Sequence, residues 1–224
     1  MAKKTTKKRD ELQEVQNALS TSEAFFEKYQ KQILYGLTAV VLVVVAIIAY
    51  HNLYLQPRSG EAATEISKTQ DYFAVDSFRI ALDGNLECLG FSEIASSYSS
   101  TASGNLANAY AGICSFKLGN YEDAIDYLEK YSDKGTYFGI EVIGLIGDSY
   151  VELDKTDKAI SYFEKAADKN NDILSPQFLK KAAVAYESLA KPEKALNLYK
   201  QIKDKYPQST EAADIDKYIA RLSN

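Results

Sequence analysis

The sequence predicts an all-α protein, in which a single N-terminal transmembrane helix precedes an α-solenoid of repeated helix pairs and a C-terminal capping helix. Three observations support this fold: residues 32–57 carry no charge, residues 105–209 repeat with a period of 35 to 36, and apolar residues elsewhere recur at helical spacing. With 224 residues, 46% apolar and a net charge of -5, the chain can bury a sizeable core. This composition argues against a disordered tail protein and against a basic nucleic-acid-binding protein.

Charge divides the chain into two unlike parts. Residues 1–32 hold seven Lys and Arg and five acids, a net charge of +2, whereas residues 58–224 hold 19 basic and 26 acidic residues, a net charge of -7. Within the first part, Leu12, Val15 and Leu19 recur at helical spacing. We interpret residues 1–32 as a basic, amphipathic cytoplasmic tail that lies against anionic lipid.

The uncharged segment predicts a transmembrane helix over residues 33–55. About 20 residues, each rising about 1.5 Å, cross a hydrocarbon layer of roughly 30 Å, so this segment is long enough. Tyr35 lies near one end of the span, and Tyr50 and Tyr54 lie near the other, where aromatic rings favour the headgroup region. A cleaved signal peptide fits less well, because the apolar run exceeds the usual length of about 7 to 15 residues.

The orientation of the span follows from the basic residues before it. Five of the first nine residues are Lys or Arg, which favours a cytoplasmic N-terminus. Residues 58–224 are then expected outside the cytoplasm, since long C-terminal domains cross the membrane largely regardless of their own charge.

Residues 56–104 are predicted to form a degenerate helix pair and a linker. The apolar pattern indicates one helix over residues 61–82 and a second over residues 91–98, separated by the glycine-bearing loop 83–90. Residues 99–104 form the clearest break before the repeats.

Three units then repeat, each of them two amphipathic helices joined by a short polar turn. They resemble the tetratricopeptide repeat, which places small residues at positions 8 and 20 and a large residue at position 24. Position 8 corresponds to Gly112, Gly147 and Ala183, position 20 to Ala124, Ala159 and Ala195, and position 24 to Leu128, Phe163 and Tyr199. In this family, small residues at the helix crossing let the backbones approach while large ones fill the neighbouring space.

The first unit departs most from the family pattern. Position 11, usually Tyr, is Ser115 in the first unit but Tyr150 and Tyr186 in the others. The resemblance covers residues 105–209, and residues 210–224 are predicted to form the capping helix that covers the last apolar face.

The resemblance also implies a protein-binding groove lined by the first helix of each unit. The residues in the groove positions are Leu106, Ala109, Ile113, Phe116, Glu141, Asp148, Val151, Gln177, Lys180, Val184 and Glu187. Ile113 and Phe116 could instead pack against the helix over residues 91–98, and the sequence leaves both interpretations open. Lys180 stands without the Lys and Asn partners by which related domains hold a C-terminal carboxylate, so binding of acidic chaperone tails is disfavoured.

The sequence offers little chemistry. The single histidine, His51, lies at the predicted membrane edge, and no phosphate-binding loop, zinc-binding helix or nucleophile elbow occurs. Cys88 and Cys114 could pair outside the cytoplasm, although we favour their being two small, partly buried apolar residues. We therefore expect no enzymatic activity, no cofactor, no metal site and no small-molecule substrate.

The order of these parts, a short basic tail, one span and an acidic repeat domain, is similar to the ancillary subunit of the bacterial Sec translocon. That resemblance implies a single-pass protein of the bacterial inner membrane with its repeat domain in the periplasm. Its implied partners are translocon subunits or periplasmic chaperones. A scaffold for another envelope complex, such as cell division or outer-membrane assembly, and a cytosol-facing organelle receptor are the alternatives.

Overall fold

The structure, a computed structural model, describes residues 28–132 and 135–223, and most of them are helical. The chain divides into two compact units, Met1–Gln56 and Pro57–Asn224. The helical pattern predicted from Leu12, Val15 and Leu19 lies outside the described residues.

The first unit contains helix α1, over residues 28–50, and a π-helical turn at His51–Leu55. Helical backbone runs over Lys28–Ala74, and its most apolar stretch, which has no buried residue, is long and apolar enough to cross a membrane. Leu37 and Val43, for example, are 61% and 58% exposed. Side chains this apolar and this exposed suit a lipid environment better than water.

The second unit is a succession of helices. In chain order these are α2 (Gln56–Ala74), α3 (Phe78–Asp83), α4 (Phe91–Ser97), α5 (Ala102–Lys117), α6 (Tyr121–Lys130), α7 (Tyr137–Glu152), α8 (Thr156–Ala167), α9 (Leu174–Ser188), α10 (Pro192–Lys205), a 3-10 turn (Glu211–Asp214) and α11 (Ile215–Leu222).

The prediction of a single helix over residues 61–82 is wrong, because α2 ends at Ala74 and α3 begins at Phe78. Asp76 has a φ of 57°, a left-handed conformation that ends the helix. The buried Thr69 hydroxyl of α2 donates a 2.5 Å hydrogen bond to the Leu89 carbonyl oxygen. This bond holds the loop between α3 and α4 against α2. Phe91 and Ile94 of α4 are fully buried beside Ile66, so this region has its own core.

The helices α5 to α10 form three pairs, and the local signals that start and divide them recur with the predicted period. The Thr101 hydroxyl oxygen accepts a hydrogen bond from the Gly104 N–H at the start of α5, and Thr136 does the same for Gly139 at the start of α7. The turn inside each pair contains one left-handed residue: Gly119 (φ 80°), Asp154 (φ 57°) and Ala190 (φ 54°). The turn geometry therefore persists even where the residue is not glycine.

Within a pair, the helices cross where the sequence predicted, at the small residues. A Cβ atom on Gly112 would lie 2.5 Å from Leu128 Cγ, and one on Gly147 would lie 2.6 Å from Phe163 Cε1. Both distances are shorter than real contacts of Cβ atoms, so a side chain at either glycine would force its neighbour to shift. In the first two repeat units, the small residue at position 8 thus lies against the large residue at position 24.

Tyrosine hydroxyls tie neighbouring helices together through carboxylates. Tyr162 donates to Glu129 at 2.5 Å, Tyr186 to Glu164 at 2.9 Å, and the fully buried Tyr199 to Glu187 at 2.6 Å. These bonds link α8 to α6, α9 to α8, and α10 to α9. Burial, together with the hydrogen bond to Glu164, raises the pKa of Tyr186 to about 12, so the bonded proton is held tightly.

The C-terminal cap consists of the 3-10 turn followed by α11. Ile215 is buried in the core of the last two units, and Tyr218, Ile219 and Leu222 pack against that core. Arg221 adds an ion pair to Glu187, in which its Nη2 lies 2.8 Å from Oε1 and 2.6 Å from Oε2. The last apolar face is thus covered by the chain itself.

We predict that Gly144→Ala destabilises the second repeat unit. A Cβ atom at this position overlaps the ring of Phe178, which is 1% exposed and stacked on Phe163, so the ring has little room to move. Overpacking of this kind lowers the free energy of unfolding by about 1–3 kcal/mol. Urea unfolding of the full chain in detergent, followed by tyrosine fluorescence, measures the change.

Gly60→Ala is the matched control, because nothing lies within 4 Å of its added Cβ atom. This helical exchange should raise the free energy of unfolding by about 0.5–1 kcal/mol. Equal stability of the two variants would show that α7 and α9 pack less closely than described.

Candidate protein-binding face

The residues predicted to line a groove lie on the first helix of each pair, α5, α7 and α9. The structure brings three of them, Asp148, Val151 and Val184, together in one cleft. The others are either engaged in packing within the domain or lie at its C-terminal end.

On α5, the predicted residues are engaged in packing within the domain. Ala109 is fully buried, so its side chain is inaccessible to a partner, and the half-buried Leu106 and Ile113 pack against the core that α6 and α7 contribute. The Phe116 ring contacts Tyr121 edge-on at 5.5 Å. These contacts of Ile113 and Phe116 lie in the following helices, whereas the sequence left open an apolar groove site or packing against the preceding helix.

On α9, two predicted residues are engaged by the cap. Lys180 Nζ lies 3.2 Å from Asp214 Oδ1 and 5.0 Å from the centroid of the Tyr218 ring. Glu187 accepts the hydrogen bond from Tyr199 and the ion pair from Arg221. Gln177 lines a separate cleft of about 670 Å³ beside the 3-10 turn.

A cleft of about 320 Å³, which we call the α7–α9 cleft, contains the remaining exposed apolar surface of this face. It is lined by Asp148, Val151, Thr156, Phe163, Lys181, Val184, Ala185 and Ser188. Val151 is 43% exposed and Val184 is 52% exposed, whereas Phe163 is 2% exposed. The cleft therefore presents two valines to solvent above an aromatic side chain that belongs to the core.

An ion pair borders the α7–α9 cleft. Lys181 Nζ lies 2.8 Å from Asp148 Oδ1 and 2.7 Å from Asp148 Oδ2. The same ammonium group lies 5.6 Å from the ring centroids of both Phe163 and Phe178. Cation–π attraction and the carboxylate together fix this side chain beside the valines.

Glu141 belongs to the same electrostatic group. Burial raises the pKa of its carboxyl group, the nearby charge of Lys181 lowers it, and the charge of Asp148 raises it. Lys181 therefore balances two acids, and its loss would leave both of them without a neutralising charge.

Sequence reasoning missed Lys181 and placed Phe163 only in the core. Lys181 falls outside the family's groove positions, so the resemblance did not point to it. A signal was present in the spacing of opposite charges, since Lys181 and Asp148 are 33 residues apart, and Lys191 and Asp157, which also pair, are 34 apart. In a repeat protein, residues about one period apart lie on neighbouring units.

The two cysteines are free and buried, which leaves them as small apolar side chains of the core. Burial, with the charge of Asp83 adding to it, raises the pKa of the Cys114 thiol to about 12. A thiol with this pKa is a poor nucleophile near neutral pH. Among residues 28–132 and 135–223, no group of three His, Cys, Asp or Glu side chains is placed to hold a metal ion.

Comparisons with known proteins agree with this geometry. The family profile described as "Tetratricopeptide repeat" matches residues 145–210. No curated protein matches the chain in sequence.

Among solved structures, the MamA protein is similar in fold, with 16% identity and a TM-score of 0.55 over 73% of this chain and 87% of that one. The nearly identical TPR-like repeats assigned to a kinesin light chain of Podosopora anserina are similar over 75% of this chain and 87% of that one, with 11% identity and a TM-score of 0.56. The second compact unit, Pro57–Asn224, thus has the fold of a tetratricopeptide-repeat solenoid. Domains of this type generally mediate protein–protein interaction.

We predict opposite shifts of the Glu141 pKa in two variants. Lys181→Met should raise it, because the neighbouring positive charge is lost, and Asp148→Asn should lower it, because the neighbouring negative charge is lost. Carboxyl-detected NMR titration of the full chain measures both shifts.

Lys191→Met is the control for these two variants, because it removes a lysine whose partner is Asp157. It should leave the Glu141 pKa unchanged. A response to Lys191→Met as large as that to Lys181→Met would contradict the electrostatic grouping of Glu141, Asp148 and Lys181.

Proposed function

We propose that this protein is a membrane-anchored adaptor that holds a protein-binding repeat domain outside the cytoplasm and performs no chemistry of its own. Its tetratricopeptide-repeat fold supports an interaction scaffold. Its exposed apolar helix supports an anchor.

The α7–α9 cleft is the observation that carries the proposed binding function. Val151 and Val184 keep about half of their surface in contact with water, although apolar residues of the neighbouring helices are buried. Burying a fully exposed valine side chain is worth roughly 1.5 kcal/mol or more, so covering the exposed half of each valine gives a partner roughly half of that. The hydroxyls of Thr156 and Ser188 and the Asp148–Lys181 pair provide polar groups at the same cleft. An apolar centre with polar groups around it is the usual arrangement of a binding hot spot.

The proposed side of the membrane rests on charge. Five basic residues among the first nine hold the N-terminus in the cytoplasm, and residues 58–224 then lie on the other side. In a bacterial inner membrane, that side is the periplasm.

The proposed partners are subunits of the protein translocation machinery or periplasmic chaperones, which the order of tail, span and acidic repeat domain favours. In this role, the anchor would keep the α7–α9 cleft close to polypeptides that leave the membrane channel. A different envelope complex, or a receptor that faces the cytosol, would use the same fold with other partners.

A photo-crosslinking amino acid at position 184, in the full chain in native membranes, tests the cleft. We expect it to capture a discrete protein partner. The same amino acid at Val75, which is 69% exposed but lies in the break after α2, should capture much less of that partner. Val151→Asp, with the crosslinking amino acid kept at position 184, should lower recovery of the partner by tenfold or more, because it places a charge in the apolar centre.

Mass spectrometry of the crosslinked partner distinguishes the proposals. Translocon subunits or periplasmic chaperones would support the adaptor role. Components of another envelope complex would keep the scaffold but reject the translocon. Equal crosslinking from positions 184 and 75 would reject the cleft as the binding site.

A further inference from the structure

A second cleft, of about 350 Å³, lies among α3, α4, α5 and α6, away from the α7–α9 cleft. We call it the Ser115 cleft, and it is lined by Arg79, Leu82, Asp83, Ser92, Ser115, Asn120, Asp123, Asp126, Tyr127 and Lys130. Its wall is mostly polar and charged, in contrast to the valine-lined cleft of the proposed binding function.

The Ser115 cleft lies where the first repeat unit lacks a tyrosine that the other two repeat units have. In the second repeat unit, Tyr150 occupies the corresponding position, and its ring centroid lies 5.5 Å from that of Tyr162. In the third unit, Tyr186 occupies it and bonds Glu164. In the first repeat unit this position holds Ser115, which lines the cleft together with Tyr127.

Ser115 itself is an unusual wall residue. It is fully buried, and within the described part of the chain its Oγ has no hydrogen-bond partner. Buried hydroxyls without partners cost free energy and are rare in folded proteins. A ligand in the cleft that formed the missing hydrogen bond would satisfy this hydroxyl group and remove that cost.

The charges at the cleft favour a cationic ligand. Asp83 pairs with Arg79 at 3.6 Å, and Lys130 lies 5.2 Å from the centroid of the Tyr127 ring. Asp123 and Asp126, in contrast, form no ion pair with any of residues 28–132 and 135–223. Burial and then the charges of Asp123 and Asp83 raise the pKa of Tyr127, which reports the negative potential at this place.

We propose that the Ser115 cleft binds an arginine side chain of a partner polypeptide. The carboxylates of Asp123 and Asp126 face the guanidinium group, and Ser115 Oγ accepts one of its hydrogen bonds. A guanidinium group has five N–H donors in one plane, which suits a site that offers several acceptors in different directions. This site is separate from the α7–α9 cleft, so its failure would leave the proposed function untouched.

The test uses the full chain in detergent micelles and two blocked tripeptides, acetyl-Ala-Arg-Ala-amide and its citrulline counterpart. Citrulline keeps the shape of arginine but has no charge. Ligand-observed NMR titration should show binding of the arginine peptide that is at least tenfold tighter than binding of the citrulline peptide. Equal affinity for both peptides would overturn the proposal.

Two substitutions of Ser115 locate the site. Ser115→Tyr should abolish binding by filling the cleft, and it should fold, because Tyr150 and Tyr186 occupy the same position in the other units. Ser115→Ala keeps the space and removes one hydrogen bond, so binding should weaken about threefold to tenfold. Unchanged binding by Ser115→Tyr, with circular dichroism showing a folded chain, would place the arginine elsewhere.

A matched pair of acids tests the charge. Asp123 and Glu122 both lie in the first turn of α6, where either charge interacts with the helix dipole, but only Asp123 lines the cleft. Asp123→Asn should weaken arginine binding about tenfold, whereas Glu122→Gln should leave it nearly unchanged. Equal effects of the two variants would show a diffuse attraction to the acidic domain and would contradict a defined site.

Discussion

The close crossing of helices at small residues is the constraint on which the repeat domain depends. Gly112, Gly144 and Gly147 each lie against a large side chain, Leu128, Phe178 or Phe163, at a distance that admits no side chain of their own. These contacts set the separation and the register of α5 to α9. Because successive units then repeat the same geometry, residues 33 or 34 positions apart meet, as in the pairs Tyr162–Glu129 and Arg221–Glu187.

The two clefts differ in their relation to the repeat pattern. In the α7–α9 cleft, Val151 and Val184 remain exposed beside a buried phenylalanine. In the Ser115 cleft, a small residue stands where the neighbouring units carry tyrosine. The cap has the opposite effect, since it uses Lys180 and Glu187 for contacts within the chain. The accessible part of the predicted face is therefore concentrated in the middle of the array.

The sequence was sufficient for the features that depend on period and on residue size. The three helix pairs follow from the repeat period, and the glycine crossings and the covering of the last repeat unit follow from the resemblance to the tetratricopeptide repeat. The break between α2 and α3 did not follow, since it depends on a left-handed Asp76 in a sequence that otherwise suits a helix. The family positions predicted Ala109 and Lys180 to be accessible to a partner because these positions define only one face of a helix. Whether a residue on that face is buried or paired depends on the helix that packs next to it.

The side of the membrane on which the repeat domain lies is the central claim of this account, because the proposed partners follow from it. Lys169→Cys places an accessible thiol in the exposed turn after α8, while the native Cys88 and Cys114 are buried and give little background. In spheroplasts with an intact inner membrane, a membrane-impermeant maleimide should label this cysteine without lysis. Labelling only after the membrane is opened would place the domain in the cytoplasm and contradict the account.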